Sequence, residues 1–188
     1  MTLTLLIFLF PLAYSPGPGN LFFAANGARF GFWATVPANI GYHIATWFIT
    51  LAVGAGLLAV FTSYPHIFTA IKVLGVTYIL WLAWKLYGAG AQAGQAARVA
   101  GFWDGVVLLV LNPKAYVLMG LMYSQFGQAD TLVWVATVFT LNNIVAFCLF
   151  AMLGDRVAAR FARGQNGERA NKVMAVMLAA VAIWMLFL

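Results

Sequence analysis

The longest uncharged stretch of this chain lies between Arg29 and Lys72, where no aspartate, glutamate, lysine or arginine occurs. A helix crosses a bilayer with about 20 apolar residues, so this stretch is too long for a single span. Over the whole chain 64% of the residues are hydrophobic and 7% are charged, whereas soluble domains average about 25% charged residues. Too little charge is present to cover a water-exposed surface. The apolar runs of span length therefore predict an all-α integral membrane protein.

Six apolar segments have the length of a membrane span. Their approximate limits are 3–26 for the first, an end near Phe61 for the second, 68–87, 102–126 and 131–153 for the next three, and an end at Leu188 for the last. The first segment lacks a positively charged leader, which indicates a membrane span rather than a signal peptide. We therefore expect one transmembrane domain over residues 1–188, with three-helix repeats at about 1–88 and 101–188.

The basic residues lie on one side of the predicted spans. The loops after spans two and four contain no lysine or arginine, and Asp130 is their only charge. The loops after spans one, three and five, with the residues beside them, hold Arg29, Lys85, Arg98, Arg156, Arg160, Arg163, Arg169 and Lys172. The positive-inside rule places these three loops in the cytoplasm and both termini outside it. The net charge of +6 thus belongs to cytoplasmic loops and predicts no nucleic-acid partner.

Proline motifs interrupt the first and fourth segments. The first contains Tyr-Ser-Pro-Gly-Pro-Gly-Asn at residues 14–20, and the fourth contains Asn-Pro-Lys at 112–114. At 1.5 Å per residue both motifs lie roughly 15 Å deep, although the two spans enter from opposite sides. A proline in a membrane helix often produces only a kink. Two breaks at matching depth, however, are typical of a transporter built from two inverted three-helix repeats, here with helices 1 and 4 broken.

The backbone at such breaks suits the two charged ends of an amino acid. The N-terminus of a half-helix attracts a carboxylate, and unwound carbonyls attract an ammonium group. The breaks therefore predict a substrate-binding site near mid-membrane. Its candidate residues are Ser15, Pro16, Gly17, Pro18, Gly19 and Asn20 from the first break and Asn112, Pro113 and Lys114 from the second.

Polar residues also occur at mid-membrane depth in the second helix of each repeat. These are His43 in span two and Asn142 and Asn143 in span five. Polar side chains at this depth are costly, and they line substrate pathways or hold helices together by hydrogen bonds. We include all three in the candidate site, with interhelical bonding as the alternative.

The charge of Lys114 has two interpretations. Its ammonium either binds the substrate carboxylate or pins loose carbonyls of the breaks. For ion coupling no acidic residue lies at mid-membrane. His43 and Asp104 are therefore the coupling candidates, with a plain helix-boundary role as the alternative for Asp104. Gly27 and Gly31, like Gly101 and Gly105, have the spacing of close helix contacts.

Several ordered motifs resemble the LysE/RhtB family of amino-acid exporters. They are SPGPGN, NGARFGF, PANIG, KVLGVTYILWLAWK and FWDGVVLLVLNPK, within residues 10–120. Spans five and six match that family only in hydropathy and length. The resemblance implies a bacterial inner-membrane exporter of amino acids or their derivatives, driven by a proton or ion gradient. The Pro-Gly-Pro motif is similar to the branch associated with cysteine, O-acetylserine and homoserine. Gly19 departs from the family, which mostly carries Asp or Asn at that place.

Other functions receive less support from the residues. A metal-ion exporter of similar architecture would need clustered acidic, histidine or cysteine ligands, whereas His43, His66 and Cys148 are scattered. No nucleophile, acid and base come together as an enzyme requires, and no cofactor motif is present. A non-transporting scaffold would leave both broken helices unexplained. The expected partners are thus an amino-acid substrate and the lipid bilayer, and a homodimer is compatible with the sequence.

Overall fold

The computed structural model describes residues 2–88, 98–161 and 166–187, and every regular element in these ranges is helical. The α-helices are α1 (Thr2–Ala13), α2 (Pro18–Phe30), α3 (Val36–Ala52), α4 (Leu58–Ser63), α5 (Pro65–Gly88), α6 (Phe102–Val110), α7 (Pro113–Phe126), α8 (Leu132–Phe161) and α9 (Asn166–Trp184). The all-α prediction is confirmed over these ranges. The predicted connection between spans three and four, and Arg163 in the basic loop, lie outside the described residues.

Two helix pairs are sharply bent at the proline motifs. The axes of α1 and α2 differ by 68°, and those of α6 and α7 by 64°. Pro18 and Pro113 stand in the first turn of α2 and α7, where the missing N–H removes no helical hydrogen bond. Inside a continuous helix each proline would clash with the preceding turn. The helix therefore restarts at the proline, and the residues before it adopt extended backbone, as Gly17 and Asn112 do.

Helix length and apolarity limit the number of membrane spans. Three helices can cross a membrane: Phe32–Leu57, Pro65–Gly88 and Leu132–Arg160. Counting each bent pair as one span gives five. The apolar helix at Lys172–Phe187 is shorter than the usual span. The structure is thus that of a multi-span membrane protein, while the sixth span and the inverted repeat stay predictions.

Glycines bring the helices into backbone contact at two crossings. A Cβ atom at Gly27 or Gly154 would overlap the carbonyl of Ala151 or Ala24, respectively, where α2 crosses α8. At the crossing of α3 and α6, Gly41 faces the Phe102 carbonyl and Gly105 faces the Ala38 carbonyl. Close backbone approach of this kind requires small residues.

The glycine spacing seen in the sequence identified only half of these contacts. Gly27 and Gly105 make them, but a Cβ at Gly31 would meet no atom within 4 Å and one at Gly101 would meet only Asp104, at 3.7 Å. Gly31 has instead a φ of 83°, a conformation that favours glycine. It ends α2 and turns the chain towards α3. Its role is therefore a turn and not a helix crossing.

Candidate functional site

A small central cavity lies where both bent pairs meet α3 and α8. Its volume is about 20 Å³, room for about one water molecule. Six polar residues contribute to its lining: Asn20, Tyr42, Thr46, Asn112, Lys114 and Asn143. Most of the wall is apolar and includes Phe139 and Phe147. Of the described lining residues none is acidic.

At the first break side chains take up the carbonyls that the interruption frees. The Asn20 amide donates to the Ala13 carbonyl at 3.0 Å, and the Ser15 hydroxyl donates to the Leu12 carbonyl at 2.9 Å. Buried backbone groups must be paired, so these two bonds hold the C-terminus of α1 against the start of α2. Asn20 is 4% exposed and thus acts from inside the protein.

At the second break Asn112 is buried with one hydrogen-bonding atom unused. Its side-chain amide nitrogen donates to the Tyr42 hydroxyl at 3.0 Å, while its Oδ1 atom has no partner. An unpaired buried acceptor costs about 1–3 kcal/mol. Asn112 therefore presents an unused acceptor beside the central cavity. Such an oxygen suits an ammonium or hydroxyl donor.

Lys114 joins the two breaks. Its Nζ atom donates to the Ser15 carbonyl at 3.0 Å and to the Ser15 hydroxyl at 2.9 Å. A Cβ atom on Gly17 would lie 2.8 Å from the same Nζ atom, so glycine leaves the space that the ammonium fills. Of the two interpretations drawn from the sequence, this geometry matches the pinning of free carbonyls.

The remaining first-break residue with a special environment is Gly19. A Cβ atom there would come within 2.6 Å of the Phe147 ring and 3.4 Å of the Tyr42 hydroxyl. The Phe147 and Tyr42 rings themselves pack at 4.7 Å between centroids. An aromatic side chain from α8 thus occupies the space that a larger residue 19 would need, which explains the departure from the family at this place.

His43 and Asn142 lie away from the cavity lining. The His43 Nδ1 atom is 2.8 Å from the Asn39 carbonyl, and its Nε2 atom has no partner. His43 lines a separate apolar groove of about 360 Å³ between α3 and α8. The Asn142 amide nitrogen is also unpartnered, whereas its neighbour Asn143 reaches the cavity. The helix rotation therefore separates two adjacent asparagines that the sequence grouped together.

Four cavity residues were missed in the sequence: Tyr42, Thr46, Phe139 and Phe147. Residues four apart share a helix face, so the face of α8 that contains Asn143 also contains Phe139 and Phe147. In the same way Thr46 follows Tyr42 by one turn on α3. Helical periodicity around Asn143 would have found the two aromatic residues.

Asp104 lies at the start of α6 and outside the cavity. Its carboxylate accepts a 2.6 Å hydrogen bond from the Gly101 N–H and pairs with Arg98 at 2.6 Å. The Arg98 side chain is 76% exposed, so the ion pair contributes little. The N–H bond caps the helix. This geometry favours the boundary interpretation over a coupling role.

Replacing Asp104 with Asn is therefore expected to leave the pH dependence of transport unchanged. The loss of the charged cap should lower the free energy of unfolding by roughly 1 kcal/mol. Thermal unfolding in detergent and the pH profile of efflux measure the two effects separately. A shifted pH profile in this variant would assign proton coupling to Asp104.

Comparison with known proteins places these features in a family. The model of the LysE type translocators matches residues 10–187, so the resemblance seen over 10–120 extends through the last two predicted spans. No solved structure matches the chain. Among the described residues no group of three or more His, Cys, Asp or Glu comes together.

Curated relatives cover most of the chain. A cysteine/O-acetylserine efflux protein of Salmonella choleraesuis is 25% identical over 181 residues, which are 91% of this chain and 90% of that protein. The protein of the same description in Escherichia coli is 24% identical over 177 residues, with 91% and 90% covered. An uncharacterized membrane protein of Pseudomonas aeruginosa is 28% identical over 168 residues, with 80% and 78% covered.

The family, the bacterial relatives and the apolar helices together indicate a multi-pass inner-membrane transporter rather than an enzyme. Amino-acid efflux is favoured over the metal-ion and scaffold alternatives. Because the family match covers nearly the whole sequence, this protein belongs to the family of LysE type translocators.

Proposed function

We propose that this protein is a secondary exporter of small neutral amino acids or their derivatives, with its substrate site at the central cavity. The observation that carries the proposal is the meeting of both breaks at one cavity, where Asn20, Asn112 and Lys114 lie together. Broken helices at membrane depth are tolerated where they line such a site.

The first turns of α2 and α7 provide the groups for a carboxylate. Both helices begin with a proline, and the N–H groups of a first helical turn have no partner within the helix. The partial positive charge of a helix N-terminus adds to their attraction for an anion. We place the substrate carboxylate between Pro18 and Pro113.

Oxygen atoms at the same place provide acceptors for the amino group. The Asn112 Oδ1 atom is unused, and the Ser15 carbonyl already holds an ammonium, that of Lys114. The substrate's own side chain would then face the apolar wall that includes Phe139 and Phe147. A charged side chain would find no opposite charge of the acidic kind among the described lining residues, so the proposal restricts the substrate to small uncharged side chains.

Transport requires this site to open alternately to each side of the membrane. The volume of about 20 Å³ is too small for an amino acid, so the surrounding helices must separate when substrate binds. We propose rocking of the two predicted three-helix repeats about the breaks, with the basic loops in the cytoplasm. His43 is the coupling candidate that remains inside the helical core.

Efflux from proteoliposomes tests the function. The vesicles are preloaded with labelled cysteine, O-acetylserine, homoserine, threonine, leucine, lysine or arginine, with and without an imposed pH gradient. Small neutral amino acids should leave on the order of 100-fold faster than lysine and arginine, because an unpaired cation at mid-membrane is costly. A pH-dependent rate would show proton coupling. No efflux of any compound from folded protein would overturn the proposal.

A further inference from the structure

One ammonium group bridges the two broken helix pairs. Lys114 belongs to the first turn of α7, and Ser15 lies in the break between α1 and α2, 99 residues away in sequence. The Nζ atom contacts the Ser15 carbonyl, the Ser15 hydroxyl and, at 3.5 Å, the Pro16 carbonyl. All three partners are neutral oxygens.

The space around this ammonium is shaped to admit it. A Cβ atom on Gly17 would lie 2.8 Å from Nζ and 2.9 Å from Cδ of Lys114. Any larger residue at position 17 would therefore displace the lysine from Ser15. The break thus contains a small site of backbone and hydroxyl oxygens that holds one primary ammonium.

The substrate of the proposed function carries the same chemical group. An amino acid and a lysine side chain both present three N–H donors on a positively charged nitrogen. The adjoining cavity holds about one water molecule, so a substrate ammonium and that of Lys114 cannot occupy the Ser15 oxygens together. A bound substrate must therefore displace Lys114, and its carboxylate is a suitable new partner for the released lysine.

We infer that Lys114 is a built-in substitute for the substrate's amino group, which takes its place at Ser15 whenever the transporter is empty. This inference rests on the proposed function. An empty transporter must change its direction of access before it can collect the next substrate. With Lys114 at Ser15 the two breaks stay joined in the empty state as they are in the loaded state, and the return needs no external cation at this site.

Net efflux and exchange separate this role from substrate binding. Net efflux requires the empty transporter to return, whereas exchange of labelled internal for unlabelled external substrate uses only loaded states. In Lys114→Gln the ratio of the exchange rate to the net efflux rate should rise about tenfold, the effect expected for losing a hydrogen bond to a charged group. The probe is the amino acid that the unaltered protein exports fastest.

Gly17→Ala provides an independent variant with the charge retained. Its Cβ atom pushes the lysine away from Ser15, so the same ratio should rise, even if Lys114→Gln accumulates too poorly to be measured. Ser15→Ala is the matched control: it removes the hydroxyl but keeps the carbonyl, and a smaller rise is expected.

Equal loss of exchange and net efflux in both variants would overturn the inference, and would show that Lys114 contacts the substrate directly. An unchanged ratio in both variants would also overturn it. Neither of these results affects the proposed function. That function fails instead if the unaltered protein shows neither efflux nor exchange.

Discussion

Replacing Asn112 with Ala is expected to lower amino-acid efflux about 100-fold, to the background rate, because a lost hydrogen bond to a charged group has an effect of this order. The variant removes the unused Oδ1 acceptor at the cavity and the 3.0 Å bond to Tyr42. The level of protein in the membrane should stay near that of the unaltered chain. Efflux per amount of reconstituted protein is the measurement.

Tyr42→Phe is the matched control for this variant. It removes the same hydrogen bond from the other partner but leaves the Asn112 side chain, and with it the acceptor for the substrate. Efflux should therefore fall much less than in Asn112→Ala. If the two variants lose efflux equally, the contribution of Asn112 is its bond to Tyr42. If Asn112→Ala fails to accumulate, its role is in packing.

Gly105→Ala is expected to prevent normal folding. The added Cβ atom would overlap the Ala38 carbonyl oxygen and lie 2.8 Å from both the Ala38 carbonyl carbon and the Tyr42 backbone nitrogen. These atoms belong to a helix backbone and cannot move as a side-chain end can. Overpacking usually costs about 1–3 kcal/mol and at times more, and contact with three backbone atoms belongs at the upper end. The yield of monodisperse protein and its thermal midpoint in detergent measure the effect.

Gly88→Ala controls for the substitution itself. Gly88 ends α5, and a Cβ atom there would meet nothing within 4 Å. Because alanine is the better helix former, this variant should accumulate at least as well as the unaltered chain. A Gly105→Ala protein with an unchanged thermal midpoint would show that α3 and α6 can separate at low cost.

Local features of the fold were predictable because their causes are local. A proline cannot continue a helix from the preceding turn, so helix ends next to Pro18 and Pro113 follow from a few consecutive residues. The apolar composition likewise requires no knowledge of the tertiary contacts. The glycine contacts were half predictable: spacing alone suggests a small-residue face, but whether another helix lies against it depends on the partner.

The candidate site was predictable as a region but not as a set of contacts. Asn20, Asn112, Lys114 and Asn143 line the cavity as expected, since breaks and polar residues at one depth tend to converge. His43 has the same depth but faces another groove. Depth follows from counting residues along a span, whereas the direction of a side chain depends on the rotation of the helix about its own axis. That rotation is determined by packing against other helices.

The sequence by itself determined the membrane setting, the helical class, the positions of the two breaks and the family. Only the tertiary structure decided between the two interpretations of Lys114, brought Tyr42 to Asn112 and placed Phe147 against Gly19. The physical reason is the range of the interactions. Helix interruption and partition into a bilayer depend on neighbouring residues, but the ammonium of Lys114 meets oxygens 99 residues away, and that meeting exists only once the helices have packed.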